Sequence, residues 1–90
     1  MGQISTGGWS PISPKLSDDA QKVFDTVFGK MVGVKYEPVA FSKQVVNGIN
    51  YRYLCNATGV YPGAETQHVV VIIYQPIQGE PHLVSIEPLK

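Results

Sequence analysis

Three side chains in this sequence have the chemistry for nucleophilic catalysis: the thiol of Cys55 and the imidazoles of His68 and His82. A thiol attacks only as its thiolate, so it needs a basic neighbour. The local pattern does not supply one. Cys55 occupies an inward position of the alternating run Ile49, Tyr51, Tyr53, Cys55, Ala57, where cysteine behaves as a small hydrophobe. His68 and His82 fall at strand ends, where solvated side chains are expected. One cysteine and two histidines without close spacing do not make a zinc site. Gly7-Gly8 does not link a strand to a helix as a phosphate-binding loop would. Asn56-Ala57-Thr58 is a glycosylation sequon that matters only in a secreted chain, and Met1-Gly2 with Thr6 fits the loose myristoylation pattern without a basic cluster to reinforce it. With no acid–base pair and no activated nucleophile in view, the sequence is not that of an enzyme, and no metal or cofactor is expected.

The remaining chemistry is that of recognition. Val45, Val46, Pro76 and Ile77 are apolar residues at turns, where an exposed apolar group usually has a reason. The first pair lies in Gln44-Val45-Val46-Asn47-Gly48, between two strand patterns. Taken alone, Asn47-Gly48 reads as a two-residue type I′ hairpin with positive φ at both positions, a purely structural feature.

The elements that must position these turns follow from periodicity. Residues 1–14 are rich in Gly, Ser and Pro and read as an extended, flexible arm, leaving 15–90 as a single domain. Leu16, Ala20, Val23, Phe24, Val27, Phe28 and Met31 form one apolar stripe at helical spacing, so a helix is expected from Leu16 to Met31. Ser17 is its N-cap, Asp18 and Asp19 suit its positive end, and Gly33 suits the left-handed residue that closes a helix. Tyr36 to Val46 is the first strand, with Pro38 marking an edge or a bulge. Ile49 to Thr58 alternates, Leu54 breaking the pattern. Gly59 to Thr66 is a loop, Gln67 to Gln75 the most hydrophobic strand, Pro76 to Pro81 a turn, and His82 to Glu87 a last strand. A helix followed by an antiparallel meander is an α+β fold.

Composition narrows the partners. Seven basic and seven acidic residues leave no net charge, and no Lys/Arg cluster offers a footprint for nucleic acid. No apolar run approaches the roughly 20 residues needed to span a bilayer. A chain this short buries only roughly 60–70% of its unfolded surface, yet its hydrophobic share of 43% is enough for a packed core. The single cysteine and the lack of an N-terminal signal pattern point to a cytoplasmic protein without disulfides.

The segment Gln44–Gly48 resembles the Gln-x-Val-x-Gly hairpin of the cystatins, with Gln44, Val46 and Gly48 on the motif and Asn50-Tyr51 following as in many members. The context extends the resemblance over nearly the whole chain. Gly7-Gly8 and bulky Trp9 precede the single helix, and the Pro76–Pro81 turn comes one strand pair after the hairpin. The lack of disulfides matches the stefin branch. The second turn departs from it: Gln75-Pro76-Ile77-Gln78-Gly79-Glu80-Pro81 has neither Pro-Trp nor Leu-Pro-Gly.

The resemblance implies one long N-terminal helix packed on a four- to five-stranded antiparallel sheet. It implies a reversible, competitive inhibitor of papain-like cysteine peptidases of the cathepsin type. The peptidase-binding residues would be Gly7, Gly8 and Trp9 of the arm, Gln44, Val45, Val46, Asn47 and Gly48 of the first hairpin, and Pro76, Ile77, Gln78 and Gly79 of the second loop. Together they would fill the substrate cleft as a wedge. It also implies a monomer that can swap its helix and first strand into a dimer when the hairpin opens. The alternative is a non-inhibitory protein-binding module on the same fold, because fold does not fix function.

Overall fold

The computed structural model describes residues 8–89. One helix, α1 (Asp18–Phe28), is followed by four strands, β1 (Val34–Val46), β2 (Gly48–Gly59), β3 (Thr66–Gln75) and β4 (His82–Pro88). The strands form one antiparallel sheet in the order β1-β2-β3-β4, a plain meander with α1 packed on one face. This is the α+β architecture expected, with four strands.

The helix is shorter at both ends than its apolar stripe. Ser17 is extended and its Oγ accepts from Ala20 N–H at 3.2 Å, so the helix begins after the cap and Leu16 lies outside it. Gly29 donates to the Asp25 carbonyl at 2.8 Å and Met31 N–H to the Phe28 carbonyl at 3.1 Å, a tightened last turn. Glycine is a poor helix former, and the helix ends there rather than at Met31. Gly33, with φ 93°, serves the link into β1 instead of closing the helix.

The core is built where α1 meets the middle of the sheet. Ala20, Val23 and Phe24 face Tyr51, Tyr53 and Cys55 of β2 and Val69, Val71 and Ile73 of β3. The register pairs Tyr51 with Ile73, Tyr53 with Val71 and Cys55 with Val69, so the two inward rows coincide. Tyr53 has no exposure. Its hydroxyl donates to the Ala20 carbonyl at 2.8 Å, and its ring meets Phe24 edge-on at 5.1 Å between centroids. Leu54 does not break the alternation. It lies on the face away from the helix, across from Ala40 and Val70.

Pro38 marks a bulge, as its sequence position predicts: the β1–β2 register shifts between Pro38 and Ala40. The extra residue inverts the inside–outside alternation. Tyr36 and Phe41, five positions apart, can therefore both pack on the core. Part of the arm lies against the outer edge of β1. Ser10 N–H donates to the Lys43 carbonyl at 2.7 Å, and Ser13 and Phe41 exchange N–H···O bonds of 2.8 and 2.9 Å.

Burial pushes the Cys55 thiol up from its ordinary 9.0 to about 12. Burial, with smaller contributions from Tyr51, Cys55 and Asp25, also raises the Tyr53 hydroxyl. Both groups stay neutral in the fold and ionise earlier in the unfolded chain. Stability should therefore be level up to about pH 9 and fall between there and pH 12. Urea unfolding curves across this range should show the fall, and it should be shallower for Cys55→Val.

Candidate functional site

The sheet register gathers the candidate residues at one end of the molecule. Trp9 bridges Gln44 on the outer edge of β1. Val46 pairs with Gly48 across the first hairpin, and Ile49 pairs with Gln75 at the start of the second loop. Arm, first hairpin and second loop thus lie side by side, in that order. Gly8, Trp9, Gln44–Gly48 and Pro76–Gly79 all share this end. Gly7 is outside the described residues.

The first hairpin is held from three sides. Asn50 Nδ2 donates to Gln44 Oε1 at 2.7 Å, across the strand pair. The Tyr74 hydroxyl, from β3, donates to the carbonyl of Asn47 at the tip. Gly48 has φ 109°, and a Cβ there would lie 2.6 Å from the Gln75 carbonyl oxygen and 2.8 Å from the Tyr74 hydroxyl. Glycine is needed both for the dihedral and for the approach of the second loop. The turn is not type I′, because no described non-glycine residue, Asn47 included, has positive φ. The register pairs Val46 with Gly48 and leaves only Asn47 between the strands, so the connection is not the two-residue loop for which Asn-Gly favours type I′.

The second loop is organised by the residue that precedes it. Gln75 Nε2 donates to the carbonyls of Pro76 at 2.9 Å and Gly79 at 3.0 Å, folding the loop around its amide. Gly79 takes φ 107°. The two loops border one open groove, with Val45, Val46 and Gly48 on one side and Gln75, Pro76 and Ile77 on the other. Val45 is 42% exposed and Ile77 74%. Such a groove presents apolar surface on backbone that is already fixed.

Sequence reasoning found the loop tips but missed the residues that hold them. Tyr74 and Gln75 read as the end of a strand, and only their place beside a Pro/Gly turn hints at a supporting role. Arg52, whose guanidinium carbon sits 4.1 Å from the centroid of the Trp9 ring, gave no signal at a distance of forty-three positions.

Cys55 and His68 lie on opposite faces of the sheet. Cys55 is 1% exposed on the helix-facing side of the sheet, and its raised pKa is that of an inert thiol. His68 lies on the other face, its Nδ1 at 2.8 Å from Asn56 Oδ1. Among the described residues no group of three His, Cys, Asp or Glu side chains is placed to hold a metal ion, and no helix is long and apolar enough to cross a membrane.

Neither a protein-family model nor a solved structure matches the chain at a significant level. One curated protein does: Cystatin-A3 of Dictyostelium discoideum is 31% identical over 91 residues, covering 94% of this chain and 89% of that relative. An alignment of that identity over nearly the whole of both chains reaches far beyond one five-residue motif, and on that footing the chain belongs to the cystatin family.

Proposed function

We propose that the protein is a reversible, competitive inhibitor of papain-like cysteine peptidases of the cathepsin type. The arm at Gly8-Trp9, the first hairpin at Gln44–Gly48 and the second loop at Pro76–Gly79 enter the substrate cleft together. They cover the catalytic cysteine without offering it a peptide bond in attackable geometry. The observation that carries this reading is the row of exposed apolar groups on hydrogen-bonded, glycine-dependent loops at one end of the sheet. Preformed loops lose little entropy on docking, so a modest area can bind tightly. The inhibitor acts as a monomer, is not itself an enzyme, and belongs in a reducing compartment such as the cytoplasm, where its unpaired thiol stays reduced. A non-inhibitory binding module is the second reading, favoured by a second loop that carries Pro76-Ile77-Gln78-Gly79 in place of the Pro-Trp or Leu-Pro-Gly that the resemblance leads one to expect.

Titration of papain separates the two readings. Full inhibition at one-to-one stoichiometry, with the inhibitor recovered uncleaved, is expected. Papain that stays fully active in a large excess of folded protein would leave only the binding module.

Val46→Asp and Gly48→Ala should weaken inhibition in different ways. Val46 is half-buried in the free protein and desolvated in the complex, where an unpaired carboxylate costs about 2 kcal/mol or more, some thirtyfold in Kd. Its thermal stability should stay near that of the parent. Gly48→Ala forces a side chain into positive φ and against the Gln75 carbonyl. The strain costs about 1–3 kcal/mol, so thermal stability and inhibition should fall together. If Val46→Asp inhibits as well as the parent, the first hairpin is not the contact.

A further inference from the structure

The sequence contains one tryptophan and one arginine, and the fold stacks them on each other. At 4.1 Å from ring centroid to guanidinium carbon, Trp9 and Arg52 are well within the roughly 6 Å of a cation–π contact. Arg52 projects from β2 on the face away from the helix, across from Ser42, which is 1% exposed. Ala40 on the same face is also buried, at 8%. The helix α1 packs on the opposite face, whereas the arm, bridging β1 at Trp9–Gln44 and Ser13–Phe41, borders the same corner of the sheet.

Among the described residues, few backbone bonds hold the arm to β1. Its two bridges are isolated, and Pro11 between them has no N–H to donate. Among the described residues, Lys43 N–H also donates to Ser10 Oγ at 2.9 Å. Short bridges on a sheet edge fray readily, so a side-chain clamp adds to the time the arm lies where the wedge needs it.

We propose that Arg52 is a positioning residue. By holding the Trp9 ring it sets the arm beside the first hairpin before a peptidase is met, and so raises affinity without touching the peptidase. The proposal rests on the inhibitor reading for its functional consequence, but the clamp itself can be tested in the free protein.

Because Trp9 is the only tryptophan, its fluorescence reports on the arm alone. Arg52→Ala should shift Trp9 emission to longer wavelength and make it more accessible to acrylamide, while Arg52→Lys, which keeps a cation over the ring, should restore part of the protection. Thermal unfolding checks that both variants are folded. Against papain, Arg52→Ala should raise the inhibition constant about two- to fivefold, the size expected of an exposed cation–π contact. The same substitution in a chain lacking residues 1–9 should have no effect.

Unchanged Trp9 accessibility in folded Arg52→Ala would overturn the clamp. An equal loss of inhibition with and without the arm would overturn the positioning role, because Arg52 would then act on the fold or on the peptidase directly. A parent protein that leaves papain untouched would overturn the inhibitor reading and Arg52's part in it, while the fluorescence comparison would still decide whether the clamp exists.

Discussion

Tyr53 stands at the centre of the sheet, shut off from solvent, with a hydroxyl that must find an acceptor. It finds one in the Ala20 carbonyl, in the first turn of the helix. That bond and the edge-on contact with Phe24 fix the helix over β2 at one position along the strand. The register of β2 follows from the same residue. Slipping the strand by one place would bury Arg52 and Leu54 in place of Tyr53 and expose the tyrosines, which one-sided burial forbids. Once β2 is fixed, so are its partners. Val46 falls opposite Gly48 and Gln75 opposite Ile49, and both loops arrive at the same level. The alignment of the loop end is thus decided in the core, well away from it.

The edge strand β1 reaches this end through the bulge after Pro38. Without the extra residue, Tyr36 and Phe41 could not both face the helix, and one large ring would be left in solvent. Beyond the bulge the strand keeps Gln44 turned towards Asn50 and Trp9. The proline that interrupts β1 therefore also sets which face the arm meets. A bulged, proline-bearing strand partly covered by the arm is, in addition, a poor template for pairing with another chain.

How much of this the sequence discloses depends on the range of each interaction. The inward row Tyr51, Tyr53, Cys55 is readable because alternation is local, and Ser17 because an N-cap acts within one turn. Pro38 is readable as a bulge because proline cannot donate to a ladder. The helix ends were misplaced because Leu16 and Met31 keep the apolar spacing beyond the turns that Ser17 and Gly29 terminate. The Asn47-Gly48 pair suggested the wrong turn because its preference is stated for a two-residue loop, whereas the sheet register pairs Val46 with Gly48 and leaves Asn47 alone between them. The supports from Tyr74, Gln75 and Arg52 bridge sequence distances of up to forty-three positions or depend on where a neighbouring loop falls. Nothing in the local pattern announces them.

The loop end carries features that lower the stability which the core supplies. Gly48 and Gly79 hold left-handed dihedrals, and glycines lose more backbone freedom on folding than any other residue. Val45 and Ile77 stand in water although the interior has apolar neighbours to offer. Each feature is unfavourable in the free chain, and a sequence selected only for stability would replace them. They persist together at one end, where Tyr74, Gln75 and Arg52 hold three separate segments in one line. Rigid, solvent-facing apolar loops gain most from a partner whose surface is already shaped to receive them, because neither side must then reorganise. Each segment also has its own anchor: a hydroxyl from β3 for the first hairpin, an amide at the end of β3 for the second loop, a cation on β2 for the arm. The segments also touch one another, Trp9 bridging Gln44 and Gly48 lying against the Gln75 carbonyl, so a change in the first hairpin is felt by both of its neighbours.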